Sequence, residues 1–351
     1  MKSSGTRNME NPIGASFGYL CLYCLHVTVP SYLAEEPNPY ISIPTYQFIM
    51  SSPFVDSQGN QIPSDHILGH GTTAVVLLQN GTAVKVPLRY FWGSDSDFET
   101  NLKRLRYEQD VYRRLQDSED IRSNGVVQCI EILSEATRLA YLPNRDLRAY
   151  LSNHRPTRQL QIQWFCEMAR TLSYIHDKCV LVTDIASRNF LLDSNLSIKF
   201  SDFADASLLP LNSDMETVDD KGFTTQIDIG LLGRVIYEVI TGNKVEIDLF
   251  KDNLPTDGRA HWPERRLLPS TESIWLGPII DGCWNGQFRT AHSLLEALTS
   301  SCFSPVTQPR TALFLAYIRD LRQPRFAIVC GILGLATYVL ISRKRFLSGF
   351  P

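Results

Sequence analysis

The chain has 351 residues, 44% of them hydrophobic and 20% charged, with a formal net charge of -3. That composition excludes a wholly disordered polymer and suits one large or two modest cores. With no basic surplus there is no electrostatic footprint for DNA or RNA, so nucleic acid is not the expected partner.

Residues 1–60 read as an irregular N-terminal extension, broken by Pro12, Pro30, Pro37, Pro39, Pro44 and Pro53. Its apolar patch from Ala15 to Val29 lacks the strong basic start and small-residue cleavage site of a signal peptide. Cys21 and Cys24 form an isolated pair with no second pair to complete a metal site. The other cysteines, Cys129, Cys166, Cys179, Cys283, Cys302 and Cys330, are scattered, and read as reduced thiols of a cytosolic domain. From Ile67 to Leu78 and again from Thr82 to Val86 the text turns β-branched, and Asn80-Gly81 between the runs predicts a hairpin, because both residues tolerate positive φ. Gly69 and Gly71 fall in its first strand, where backbone without Cβ can fold closely over phosphates.

Phe98 to Leu115 has helical spacing in Leu102, Leu105, Val111, Tyr112 and Leu115. Two apolar strands follow between Val126 and Leu142, and the chain leaves them through Pro143-Asn144. Gln159 to His176 predicts an amphipathic helix with Trp164, Met168, Leu172 and Ile175 on one face. Leu181 to Ala204, LVTDIASRNFLLDSNLSIKFSDFA, carries the densest chemistry. Asp184 and Asn189 precede an apolar run, a turn at Asp193-Ser194-Asn195 and a second run, Ile198 to Phe200, which ends at Asp202. Three oxygen-bearing side chains would then meet at the mouth of one hairpin. Magnesium takes such oxygens and keeps part of its shell for phosphate, and an acid beyond the metal can orient an attacking hydroxyl.

Asp228 to Gly242 and Ile279 to Leu298 read as apolar helices around a polar insert from Asp252 to Pro269. Last comes Phe326 to Ile341, sixteen uncharged residues between Arg325 and Arg343-Lys344-Arg345. As a helix it rises about 24 Å, short of the roughly 30 Å hydrocarbon core but within reach through local thinning and snorkelling arginines. The expectation is a single tail anchor that leaves the preceding domain in the cytosol.

The stretch around Asp184, with Asp-x-x-x-x-Asn ahead of Asp-Phe, resembles the catalytic and magnesium loops of eukaryotic protein kinases. Gly69-x-Gly71 followed by Ala83-Val84-Lys85 is similar to that family's glycine-rich loop and phosphate-binding lysine. The resemblance covers roughly Ile67 to Leu298. It implies an α+β fold of two lobes, a small antiparallel sheet and a mostly helical large lobe, and ATP with Mg2+ between them. The implied map is 61–302 for the kinase-like domain, with lobes at about 61–141 and 142–302, then a linker at 303–325, a transmembrane helix at 326–342 and a basic tail at 343–351.

Residue by residue, the resemblance implies that Lys85, paired with Glu108, holds phosphates. Gly69, Gly71, Val76, Ala83 and Leu191 would line the nucleotide, Leu139 would guard the back of its pocket, and backbone groups from Ala140 to Leu142 would meet adenine. Asn189 and Asp202 would bind the metal, and Asp184 would take the proton of the acceptor hydroxyl, with Arg188 near the transferred phosphate. Glu216 is then a candidate partner for Arg289.

Departures accompany these matches. Ala74 stands at the third glycine, Val182-Thr183 at the family's His-Arg, and Ala204 at the last position of Asp-Phe-Gly. Without that arginine, activation by loop phosphorylation is not expected. Fourteen positions separate Asp202 from Glu216, a short platform for a peptide. The activity that the resemblance implies is a protein kinase acting on Ser/Thr or Tyr of a protein or peptide substrate. The alternatives are a pseudokinase that binds nucleotide as a scaffold, and a small-molecule kinase on the same fold.

Overall fold

The computed structural model describes residues 52–116, 120–251 and 258–303. Its first layer is a five-stranded antiparallel sheet of β1 (Ile67–His70), β2 (Ala74–Gln79), β3 (Thr82–Pro87), β4 (Cys129–Ile132) and β5 (Thr137–Ala140), in the order β1-β2-β3-β5-β4. The β2–β3 hairpin turns at Asn80 and Gly81, with φ of 50° and 75°, the positive values that this pair of residues accepts at little cost. The long run expected from Ile67 is two strands. Gly69 still lies in β1, but the amide of Gly71 donates to the Ala74 carbonyl at 2.9 Å and the chain folds back there, because Gly71-Thr72-Thr73 interrupts the apolar alternation.

Alternation along the strands gives the sheet two faces. Val75 and Leu77 point to one side, where they pack with Leu88 and with Phe54 and Ile62 from the segment before β1. The amide of Val55 donates to the Arg89 carbonyl, so the end of the expected extension is laid along the sheet. The other face carries Val76, Ala83, Lys85 and Leu139, for register sets Val76 opposite Lys85 and Ala83 opposite Leu139.

Helix α1 (Asp95–Leu115) packs against β3. Ser94 and Asp97 cap each other's backbone at its start, which begins the helix three residues before the apolar spacing does. Gln109 fixes it to the turn between β4 and β5, donating to the carbonyls of Leu133 and Ala136 at 3.0 and 3.1 Å.

The second layer is helical: α2 (Leu147–Asn153), α3 (Arg158–Asp177), α4 (Thr225–Thr241), α5 (Gly277–Trp284) and α6 (Ala291–Phe303). Trp164, Phe165, Met168, Leu172 and Ile175 of α3 are fully buried, as the helical period requires, and meet Leu232, Val235 and Ile236 of α4 in one core. Gly233 lets α4 and α5 approach, since a Cβ there would lie 2.6 Å from that of Cys283. Between the layers run β6 (Val180–Leu181), which pairs with β9 (Ser207–Leu208), and the hairpin of β7 (Phe190–Leu192) and β8 (Ile198–Phe200). The small sheet and the helical bundle are the two lobes expected. Among the described residues no helix is long and apolar enough to cross a membrane, and 326–342 lies outside them.

Candidate active site

The sheet supplies the upper wall of the cleft. Lys85 is buried in the middle of β3, and its Nζ reaches Glu108 of α1 at 2.7 and 2.8 Å and Asp202 at 2.9 Å. Burial works against the charged ammonium, but two facing carboxylates outweigh it, so Lys85 stays protonated well past its ordinary range. Burial lifts the Glu108 carboxyl above its ordinary range, although Lys85 and the Phe203 amide, at 3.0 Å, pull the other way. Asp202 opens to the cleft. Partial burial works to raise its carboxyl, and the Lys85 ammonium overrides this and holds it low. A turn after Glu108 on α1, Tyr112 is fully buried and meets Phe203 edge to face at 5.4 Å. Its hydroxyl meets no side-chain partner among the described residues, and the backbone amide of Asp202 is the one donor that faces it.

Helix α4 shapes the lower wall. Asp228 is 1% exposed and accepts from the amides of Val182 and Thr183 at 2.8 and 2.9 Å, and its Oδ2 lies 3.0 Å from His176 Nε2. A buried carboxylate spends its oxygens on backbone donors in this way. Asn189 closes the loop from the other end, its Nδ2 donating to both the Asp184 carbonyl and Asp184 Oδ2 at 2.9 Å. Across the β7–β8 hairpin, Ser201 donates through both amide and hydroxyl to the Asn189 carbonyl at 2.9 Å. Asn189 and Asp202 thus stand at the two ends of that hairpin.

The structure joins Lys85, Glu108 and Asp202 in one group and Asp184, Arg188 and Asn189 in another. Arg188 is drawn to Asp184 itself, Nη2 donating to Oδ1 and Oδ2 at 2.7 and 2.5 Å, because a carboxylate four positions earlier is the nearest anion. The amide of Ala140 is committed to the Gln128 carbonyl at 2.9 Å, which removes one of the expected backbone donors toward adenine. Val76, Leu142 and Leu191 are partly buried against the core that holds Ala83 and Leu139, so an apolar surface lies beside the charges. At Gly69 and Gly71 a Cβ would meet nothing within 4 Å, so the protein itself leaves room over the cleft. Glu216 and Arg289 are both exposed and make no ion pair with each other. The Arg289 carbonyl instead accepts from Gln226 at 3.3 Å, and the segment is tied by Asp219 to Arg259.

Two features escaped the sequence. Thr183, at φ 63°, donates its hydroxyl to the Asp205 carbonyl at 2.6 Å, linking the loop to the segment beyond Asp202 where the family's arginine would stand. Asp202 carries φ 63° while Ala204 is not among the residues with positive φ, so the left-handed backbone falls on Asp202 and not on the alanine. A Ser or Thr next to a predicted loop aspartate is the faint signal for the first. Nothing in the sequence signals the second.

Asp202 and Asn189 fit a divalent cation by the chemistry of their donors. The Asn189 nitrogen is committed to Asp184, which leaves its amide oxygen, and Asp202 adds a carboxylate held ionised by Lys85. Two protein oxygens suit a magnesium ion that keeps phosphate and water for the rest of its shell.

The family model described as protein kinase domain matches residues 63–252. A tyrosine-protein kinase, JAK3 of Rattus norvegicus, is 27% identical over 194 residues, covering 50% of this chain and 17% of its own length. A probable serine/threonine-protein kinase of Dictyostelium discoideum is 26% identical over 159 residues, covering 41% of this chain and 32% of its own length. A third, the G-type lectin S-receptor-like serine/threonine-protein kinase LECRK3 of Oryza sativa subsp. indica, is 28% identical over 131 residues, or 32% of this chain and 16% of its own. The chain therefore spans less than a third of the length of each of these curated relatives.

Proposed function

The chain belongs to the protein kinase domain family, and from that premise we propose that it is an active ATP-dependent phosphotransferase acting on Ser, Thr or Tyr hydroxyls of proteins. The observation that carries this reading is Lys85 bridging Glu108 and Asp202, partners 23 and 117 positions away. Three charged groups drawn from a strand, a helix and a loop have no structural need to meet, whereas a polyphosphate needs a cation fixed at that depth.

In this reading Lys85 holds the α- and β-phosphates and Glu108 sets its direction. Val76 and Ala83 above and Leu191 below enclose the adenine, with Leu139 behind it and Leu142 offering backbone. Magnesium held by Asn189 and Asp202 would offset phosphate charge. Asp184, its carboxylate fixed by Arg188 and Asn189, takes the proton of the acceptor hydroxyl. Positioning and charge stabilisation account for most of the rate in such transfer. The domain is placed at about 61–302, and a cytosolic location with a tether at 326–342 is tested by deleting 303–351 and following the chain in membrane fractions.

The test is magnesium-dependent phosphate transfer from ATP to Ser, Thr and Tyr peptides and to small hydroxyl compounds. Wild type should label a peptide and Asp184→Asn should lose about a thousandfold; indistinguishable rates would refute the assignment. A second reading, a nucleotide-binding pseudokinase, draws on one observation: Arg188 and Asn189 together occupy the Asp184 carboxylate. Thermal stabilisation by ATP without any turnover selects it.

A further inference from the structure

Helix α4 touches the loop that carries Asp184 at more points than Asp228. Arg234 lies six residues beyond Asp228, flanked by the apolar Leu231, Leu232, Val235 and Ile236, and is half-buried. Its Nη2 donates to the Ile185 carbonyl at 2.7 Å. One turn further, Glu238 accepts from the hydroxyl of Ser187 at 2.9 Å, and Ser187 is 1% exposed. Asp228 thus grips the residues just before Asp184, and Arg234 and Glu238 grip those just after it.

A guanidinium in such a place carries a desolvation cost. Burial lowers the Arg234 pKa, with Asp184, Glu238 and Glu246 opposing that effect and Arg188 adding to it. A charge retained at a cost among apolar neighbours needs a return, and the geometry shows one: a charge-assisted bond to the carbonyl next to the candidate base. Besides these bonds the stretch from Ile185 to Ser187 is held by burial and by the Asn189 amide, which donates to the Ala186 carbonyl at 2.9 Å. Val182 has no polar side chain, and Thr183 spends its hydroxyl on Asp205.

We propose that Arg234, together with Glu238, is a positioning pair that clamps the second half of the loop and so fixes the direction of Asp184. By hydrogen bonds Arg234 acts through the Ile185 carbonyl and Glu238 through Ser187. The consequence for rate rests on the phosphotransfer reading above. The consequence for loop order does not.

The experiment uses the full chain and two readouts. In Arg234→Met, amide hydrogen exchange of the peptide 185–189 should speed up about tenfold or more, while the amides of Val182 and Thr183, held by Asp228, keep their protection. Peptide phosphorylation should lose about tenfold or more in kcat with KM for ATP within about twofold, since a misdirected base slows transfer without loosening nucleotide. Arg234→Lys, which keeps a charged donor, should recover most of the protection. Unchanged exchange at 185–189 in Arg234→Met overturns the proposal, and so does a rise spread equally over 182–189, the mark of general loosening. If Arg234→Met does not fold, Ser187→Ala removes one hydroxyl from the same clamp and must speed exchange at 185–189 or the proposal falls. Wild type that transfers no phosphate would defeat the functional reading alone, since exchange still decides the clamp.

Discussion

The two walls of the cleft are held by different physics. Above, Lys85, Glu108 and Asp202 are one another's partners, three charges whose arrangement depends on helix α1 staying against the sheet. Below, Asp228 and Arg234 spend their charge on backbone groups of a loop lying on the buried helix α4. The upper set can lose a member and let the others adjust, Glu108 by taking a proton and Asp202 by turning to water. Below, a lost partner strands a buried amide or carbonyl, which has no such escape. The lesson is that function and stability separate in the upper wall and coincide in the lower one.

Lys85→Met is the largest perturbation of that contrast. Peptide phosphorylation should fall about 10²- to 10³-fold, while unfolding free energy by urea changes by no more than about 2 kcal/mol, because Glu108 neutralises once its partner is gone. A comparable loss of folding energy would erase the distinction. Asp228→Asn should do the reverse, costing about 2–3 kcal/mol in the same titration, since one of its two amide partners then faces an NH2 group instead of an acceptor.

Smaller substitutions sharpen the comparison. Tyr112→Phe keeps the ring against Phe203 and removes a buried hydroxyl that only the Asp202 amide faces outside good hydrogen-bond geometry, so calorimetry should show a gain of up to about 1 kcal/mol. A lower Tm would mean that the hydroxyl is paired in solution. Ala204→Gly restores the family's triplet at a position that does not need positive φ, and should cost about 0.5–1 kcal/mol through the freedom it gives the unfolded chain. An increase in stability there would show that the loop adopts a conformation only glycine accepts.

Much of this was legible before any coordinate. Asn80-Gly81 gave away its hairpin because turn chemistry is local, and the helix bearing Glu108 because apolar residues recur at its period. The spacings from Asp184 to Asn189 and on to Asp202 were readable because a tight loop and a short hairpin join them. Pairings that depend on how distant elements dock were less so. Glu216 and Arg289 are exposed and make no ion pair with each other, and Arg188 binds Asp184. The bond from Arg234 to the Ile185 carbonyl had no signal in the sequence, because periodicity cannot tell which neighbour a helix face will meet.

By itself the amino-acid order determined which segments become strand or helix and which side chains are chemically fit to hold a nucleotide and its metal, for both are matters of nearest neighbours and functional groups. Only the tertiary structure decided where each charge ends, that Lys85 is shared by two carboxylates, that Thr183 and not an arginine ties the loop to Asp205, and that the left-handed backbone falls on Asp202. Those outcomes depend on the angle and depth at which α1 and α4 pack, which are set by the volumes of the whole core and not by any local run of residues.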